Sequence, residues 1–211
     1  MYPDTPESKS SFASFTPKVH FPLSAEGRLV GHRINPVFDS IIGKYTAQDI
    51  WTTHFGPLQK NSAGASTPTE DIVTLFAKKI EPVASHGKVL ADRSTLYKYL
   101  APGLIGAITR SKAGEGSAAA PGTASKTASI PTCGIYLLDG AKGTIIYHSR
   151  IPAPGGSSAG CSTIQVSLTE NWLVYTYYSA DVSSPEGQAK GHHVVSVEIY
   201  EGRGVDDKTY R

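Results

Sequence analysis

The chain has 211 residues, 39% of them hydrophobic and 11 of them tyrosine, enough for one sizeable core or a few units of a repeat array and too apolar for a wholly disordered chain. Formal charge is +2, with 20 Lys and Arg scattered against 18 Asp and Glu, so no basic field argues for binding nucleic acid or an anionic membrane. No run reaches the roughly 18 apolar residues of a spanning helix, and the start Met1-Tyr2-Pro3-Asp4 lacks the basic and apolar regions of a signal peptide; composition alone reads as soluble and cytosolic.

In chain order, residues 1–17 are rich in Ser, Pro and Thr and read as a disordered lead-in. An ordered segment, 18–202, follows, and 203–211 reads as a loose tail. Short β-branched and aromatic runs, most of them bounded by Gly, Pro, Asn or Asp, predict strands at 28–34, 50–55, 95–100, 104–110, 134–138, 144–149, 163–168, 172–178 and 194–200. Period two is visible within them: Leu96, Lys98 and Leu100 fall on one face, Tyr97 and Tyr99 on the other. Residues 67–80 admit a helix, with Thr67 as cap, Pro68 at the first helical position and Glu70 completing a capping box. Stretches 56–69, 111–130, 152–162 and 179–191 are rich in Gly, Ala, Ser or Pro and read as surface loops.

A faint internal echo relates Ala25-Glu26-Gly27-Arg28-Leu29-Val30-Gly31-His32 to Ala141-Lys142-Gly143-Thr144-Ile145-Ile146-Tyr147-His148. Each sets a glycine turn before a strand, and His32 and His148 take equivalent positions. Short strands, glycine turns and self-similarity predict an all-β fold: a partial β-propeller with WD40-like or quinoprotein-like blades, long surface loops and at most one short helix. An open β-sandwich is the competing arrangement. One blade is assigned to 95–100, 104–110, 134–138 and 144–149, and the next begins with 163–168, 172–178 and 194–200.

Chemistry is sparse. Gly156-Ser157-Ser158-Ala159-Gly160 formally matches a nucleophile elbow with Ser158 at its tip, but Pro152-Ala153-Pro154-Gly155 stands where an apolar strand is needed and no helical pattern follows. His192 and His193, as neighbours on a strand, point to opposite faces and do not converge on one ion. Cys133 and Cys161 lack Cys-x-x-Cys spacing and read as two buried thiols, with a bridge left open because sequence does not supply the Cα separation. No Asn-x-Ser/Thr acceptor, phosphate loop, dinucleotide fingerprint or zinc spacing occurs. The reading is therefore of a non-enzyme without cofactor or metal. Asp92 and Arg93 read as a pair or as backbone caps at a blade edge, Asp139-Gly140 as a turn, and Trp172, Tyr175, Tyr177 and Tyr178 as core and blade-to-blade packing, with an interface role as the lesser alternative.

The stretch from Gly87-Lys88-Val89-Leu90-Ala91-Asp92-Arg93 through Ser94-Thr95-Leu96-Tyr97-Lys98-Tyr99-Leu100 to Ala101-Pro102-Gly103-Leu104-Ile105 resembles a signature of one family. That family is subunit 1 of the endoplasmic reticulum membrane protein complex. Glu170-Asn171-Trp172-Leu173-Val174-Tyr175-Thr176-Tyr177-Tyr178 and Val195-Ser196-Val197-Glu198-Ile199-Tyr200-Glu201-Gly202 are similar to its next strands, in the right order. The resemblance implies a fragment of the luminal C-terminal region of a fungal-like member, beginning and ending mid-domain, whose signal and single transmembrane helix lie outside this segment. It also implies an extended segment at 67–80, so two readings stand there.

By the same resemblance the function would be that of a non-catalytic scaffold in a membrane insertase for tail-anchored and multipass proteins. The partners would be the other subunits of the complex and, indirectly, its client membrane proteins. The structural or interface candidates are Asp92, Arg93, Tyr97, Tyr99, Asn171, Trp172, Tyr175 and Tyr200. A quinoprotein-like enzyme, suggested by the hairpin Asp139-Gly140-Ala141-Lys142-Gly143, and an unrelated cytosolic interaction module are the alternatives.

Overall fold

The computed structural model describes residues 5–15, 20–25, 27–39, 44–60, 66–79, 81–92, 94–111, 131–179 and 190–201. Nearly all of the loops expected at 111–130 and 179–191, the tail 203–211, and Arg93 lie outside them. The elements are α1 (Pro6–Phe15), β1 (His20–Ala25), β2 (Arg28–Asp39), β3 (Lys44–His54), β4 (Leu58–Lys60), β5 (Ser66–Pro68), β6 (Glu70–Ala77), β7 (Gly87–Val89), β8 (Thr95–Tyr97), β9 (Leu104–Ser111), β10 (Thr132–Asp139) and β11 (Ile145–Pro152). Two 3-10 turns (Pro154–Gly156 and Ser158–Thr163) then lead to β12 (Gln165–Thr169), β13 (Trp172–Ser179) and β14 (Gly191–Glu198).

Three antiparallel sheets carry the fold. The first is β1-β2-β3, the central one is β11-β10-β9-β6, and the third is β12-β13-β14; β4-β5 and β7-β8 are two-stranded hairpins. The central sheet is buried on both faces. Strand alternation sends Ala107, Tyr136 and Leu138 to one face, where they meet Leu29 and Phe55 of the first sheet region. Ile108, Cys133, Ile135 and Leu137 point the other way, onto Leu168, Leu173, Tyr175 and Tyr177 of the third sheet. This face-to-face stacking of small antiparallel sheets is blade packing, the β-propeller arrangement that the sequence predicts.

The first strand of the central sheet is β6, not 95–100 as the sequence reading assigned. Of the residues 67–80, the described part contains strands β5 and β6 and no helix, which closes the helix reading up to 79; Ile80 lies outside the described residues. The cause of the ambiguity is physical: β6 is covered on both faces and carries a register shift between Ile72 and Thr74. Ile72 and Leu75 pack on the first-sheet side, and Val73 and Phe76 on the third-sheet side, so two-sided burial plus a bulge imitates a helical period. The true capping box lies at the other end of the chain. Ser8 N–H donates to Thr5 Oγ1 and Thr5 N–H to Ser8 Oγ, both at 3.2 Å, with Pro6 at the first helical position, so a helix stands where a lead-in without elements was expected.

Two expected loops are also structured. Residues 56–69 contain the hairpin β4-β5, and 152–162 form the two 3-10 turns, burying Pro154 and Cys161. Cys161 is disulfide-bonded to Cys133 of β10, so the bridge replaces the reading of two free thiols. It ties the central sheet to the entry of the third.

The third sheet alternates cleanly. Leu173, Tyr175 and Tyr177 face the core, and the same parity turns Trp172 outward, 39% exposed, so the reading of Trp172 as core packing is corrected. Leu173→Ala should therefore cost about 2–5 kcal/mol and Trp172→Ala no more than about 1 kcal/mol, compared by urea unfolding. Replacing both cysteines by Ser, which opens a link of sequence separation 28, should cost about 2–4 kcal/mol and remove the sensitivity of the unfolding midpoint to reductant.

Candidate functional site

The two sequence blocks that stand out most, 87–105 and 170–201, meet in space. The β7-β8 hairpin leaves the chain between β6 and β9 and reaches the far edge of the neighbouring sheet. There Tyr99 N–H donates to Ile199 O at 3.0 Å and Glu201 N–H to Tyr97 O at 2.8 Å, with Lys98 and Tyr200 paired across the bridge. The tight turn joining β12 to β13, with Glu170 at φ 50°, completes the clasp. Asn171, fully buried, donates its side-chain amide N–H to Ile199 O at 3.0 Å while its backbone carbonyl accepts from Ile199 N–H at 2.8 Å. Glu170 Oε2 lies 2.8 Å from Lys98 Nζ, with both side chains mostly shielded from water.

Among the sequence candidates, Tyr97, Tyr99, Asn171 and Tyr200 are thus brought together, and Trp172 adjoins them. Tyr175 is not part of the clasp; it lies in the core between the central and third sheets. Burial pushes its phenol up to about 12, with hydrogen bonding to Tyr147 adding to the effect. Asp92 closes the β7-β8 turn, its Oδ1 accepting from Ser94 N–H at 3.0 Å and from Ser94 Oγ–H at 2.6 Å, which lowers its carboxyl pKa. Arg93 is outside the described residues.

Sequence reading missed the residue that organises the central sheet. Glu70 is 3% exposed and receives a hydrogen bond from each of the other three strands: Thr109 Oγ1 of β9 at 2.6 Å, Tyr136 OH of β10 at 2.8 Å and Arg150 Nη2 of β11 at 2.7 Å. The space for its carboxylate exists because Gly134 stands in the middle of the ladder between Thr109 and Arg150. A Cβ there would sit 2.4 Å from Thr109 Oγ1 and 2.8 Å from Glu70 Oε2. Burial pushes the Tyr136 phenol up to about 12, and the Glu70 hydrogen bond adds to it. His148 stacks on Tyr136 at 4.2 Å, and burial lowers its imidazole against the opposing pull of Glu70. The available signal was an acidic residue opening a strand buried on both sides, masked by the apparent capping box.

Asp139, Ser158, His192 and His193, which the sequence singled out, also have defined places. Asp139 Oδ1 accepts from Ala141 N–H at 2.8 Å and Asp139 O from Gly143 N–H at 2.7 Å, so the Asp139-Gly140 segment is a turn. That turn is a docking point for the first sheet: Trp51 Nε1–H donates to Gly140 O at 3.2 Å and Thr53 Oγ1–H to Gly143 O at 2.5 Å. Ser158 opens a 3-10 turn and has no strand before it. His192 and His193 point to opposite faces of β14, each against a tyrosine, Tyr178 and Tyr177 respectively.

The family model described as "ER membrane protein complex subunit 1, second beta-propeller" matches residues 1–211, the whole chain. The chain belongs to this family. Proteins named ER membrane protein complex subunit 1 are similar to it in Xenopus laevis, at 34% identity over 58% of this chain and 10% of theirs, and in Gallus gallus, at 32% over 64% and 11%. The Schizosaccharomyces pombe protein of the same name is 30% identical over 61% of this chain and 11% of its own length. The chain spans about a tenth of the subunit 1 relatives it matches. A solved structure of Pyrococcus horikoshii acylaminoacyl peptidase covers 90% of this chain and 33% of its own at 7% identity, with a TM-score of 0.28, too low to establish a shared fold. Membership of the subunit 1 family accounts for its β-propeller sheets.

Glu70→Ala should destabilise by about 2–3 kcal/mol, chiefly because it strands the buried hydroxyls of Thr109 and Tyr136, while the half-exposed Arg150 guanidinium keeps its hydration. Gly134→Ala should cost about 1–3 kcal/mol by overpacking; both are measured by denaturant unfolding. In alkali, the raised phenols of Tyr136 and Tyr175 favour the folded state fully below the ordinary tyrosine value of about 10, and that stabilisation is lost as pH climbs to about 12. Tyr136→Phe should flatten the fall in stability over this window, measured by unfolding at stepped pH.

Proposed function

We propose that this segment is a luminal, non-catalytic scaffold of the ER membrane protein complex, supporting the insertion of tail-anchored and multipass proteins into the ER membrane. Its direct partners are other subunits of the complex, and client membrane proteins are engaged indirectly through them. The parent chain is held on the luminal side by a single transmembrane helix outside this segment.

The observation that carries this reading is that the third sheet is fastened at both of its ends. The disulfide Cys133–Cys161 holds the entry to β12, and the clasp of Tyr97, Tyr99 and Asn171 holds the opposite end, where β12 turns into β13. A sheet fixed in this way keeps its outer face in place for a partner, which is what a scaffold requires. The disulfide also fits an oxidising compartment such as the ER lumen. Trp172 and Val194, 39% and 70% exposed on that outer face, supply apolar area of the kind that protein interfaces use.

The test is affinity purification of the full-length parent from detergent-solubilised microsomes, with co-eluting proteins identified by mass spectrometry. Near-stoichiometric recovery of several other subunits is expected, and a clasp variant, Asn171→Ala, should reduce it. A parent protein that elutes alone contradicts the scaffold reading.

A further inference from the structure

The end of the third sheet that carries the disulfide also holds a cavity of about 450 Å³, within the range of about 300–1,000 Å³ typical of small-ligand sites. Its lining comes from three places that meet only in the fold: Pro154 of the first 3-10 turn, Thr163 and Gln165 at the entry to β12, and Thr176, Tyr178 and His192 at the paired ends of β13 and β14. Gln165 is the first residue of β12, Tyr178 the last but one of β13 and His192 the second of β14. A cavity at strand ends is not one that face-to-face sheet packing has to fill.

Among the described residues the lining contains no Asp, Glu, Lys or Arg. A phosphate, carboxylate or ammonium group would therefore lose its hydration there without an opposite charge to replace it. What the site does present is an aromatic ring in a set orientation: Tyr178 stands 5.1 Å from His192, at 61° to it. Around that ring are groups that both donate and accept, the Gln165 amide and the Thr176 hydroxyl, together with the His192 imidazole. Thr163 Oγ1 donates to Gly160 O at 2.8 Å, which leaves its lone pairs to accept. A sugar ring matches this set, because its C–H faces pack on aromatic rings and each hydroxyl can donate and accept at once.

We propose that this cavity binds a neutral saccharide, free or carried on a glycoprotein, independently of the scaffold role. Tyr178 is the platform, and Gln165, Thr176 and His192 are the hydroxyl partners.

The test uses the detergent-purified full-length protein and saturation-transfer NMR with maltose, chitobiose and mannobiose. A parallel arm measures retention of glycosylated ribonuclease B against unglycosylated ribonuclease A. Saturable binding of at least one probe, weakened about tenfold by Tyr178→Ala, is the expected result. Gln165→Ala, at an exposed position, provides a second variant should Tyr178→Ala perturb folding, and it should weaken the same binding. Retention of ribonuclease B alone assigns the source to protein-borne glycan, and binding of the free sugars alone assigns it to small saccharides; either supports the proposal. No saturable binding of any probe at about ten times a millimolar Kd, binding that both variants leave unchanged, or occupancy by a proline-rich peptide with no response to sugars overturns it.

Discussion

The carboxylate of Glu70 is the constraint on which the central sheet depends. A buried charge is tolerated only where its acceptors are filled, and here the three partners come from the three other strands of one sheet. Sliding any of β9, β10 or β11 by one residue would carry its partner to the opposite face and leave the charge unmatched. The network therefore specifies register, and it does so where Gly134 removes the side chain that would otherwise occupy the space.

Register in the central sheet in turn fixes its neighbours, because both of its faces are buried. One parity of side chains receives Leu29 and Phe55, and the other receives Leu173, Tyr175 and Tyr177. The third sheet is then secured at both ends, covalently by Cys133–Cys161 and by hydrogen bonds through the β7-β8 hairpin. Few of these contacts are local in sequence; the clasp joins Lys98 to Glu170, and Glu70 reaches Arg150. Contacts so distant in sequence make the sheets slow to form, since the loops between the partners must close first.

Much of this was legible in the sequence. Strand positions along 104–110, 134–138 and 172–178 follow from β-branched and aromatic runs, and the turn at Asp139-Gly140 from its chemistry. The resemblance carried by 87–105 and 170–202 gave the family, and four of its candidates, Tyr97, Tyr99, Asn171 and Tyr200, meet in one place. What escaped had physical causes. A bulge and burial on both faces disguised β6 as helical, and Thr67-Pro68-Thr69-Glu70 supplied a false cap while Thr5 and Ser8 formed the real one. The role of Glu70 depends on three strands distant in sequence, and the Cys133–Cys161 bridge on a separation that only the fold sets. Trp172 was misplaced because composition favours burial of tryptophan, whereas strand parity turns it outward.

The most direct test of a rigid, interlocked unit is hydrogen exchange of the full-length protein, read by mass spectrometry at peptide resolution. If the sheets are locked together, peptides covering Tyr97–Tyr99 and Ile199–Glu201 exchange as slowly as those of β13 and open with them, while Ile135–Leu137 in β10 exchange slowest of all. Fast exchange of the clasp peptides beside a protected β13 would contradict the account, because the hairpin would then rest on the sheet without holding it.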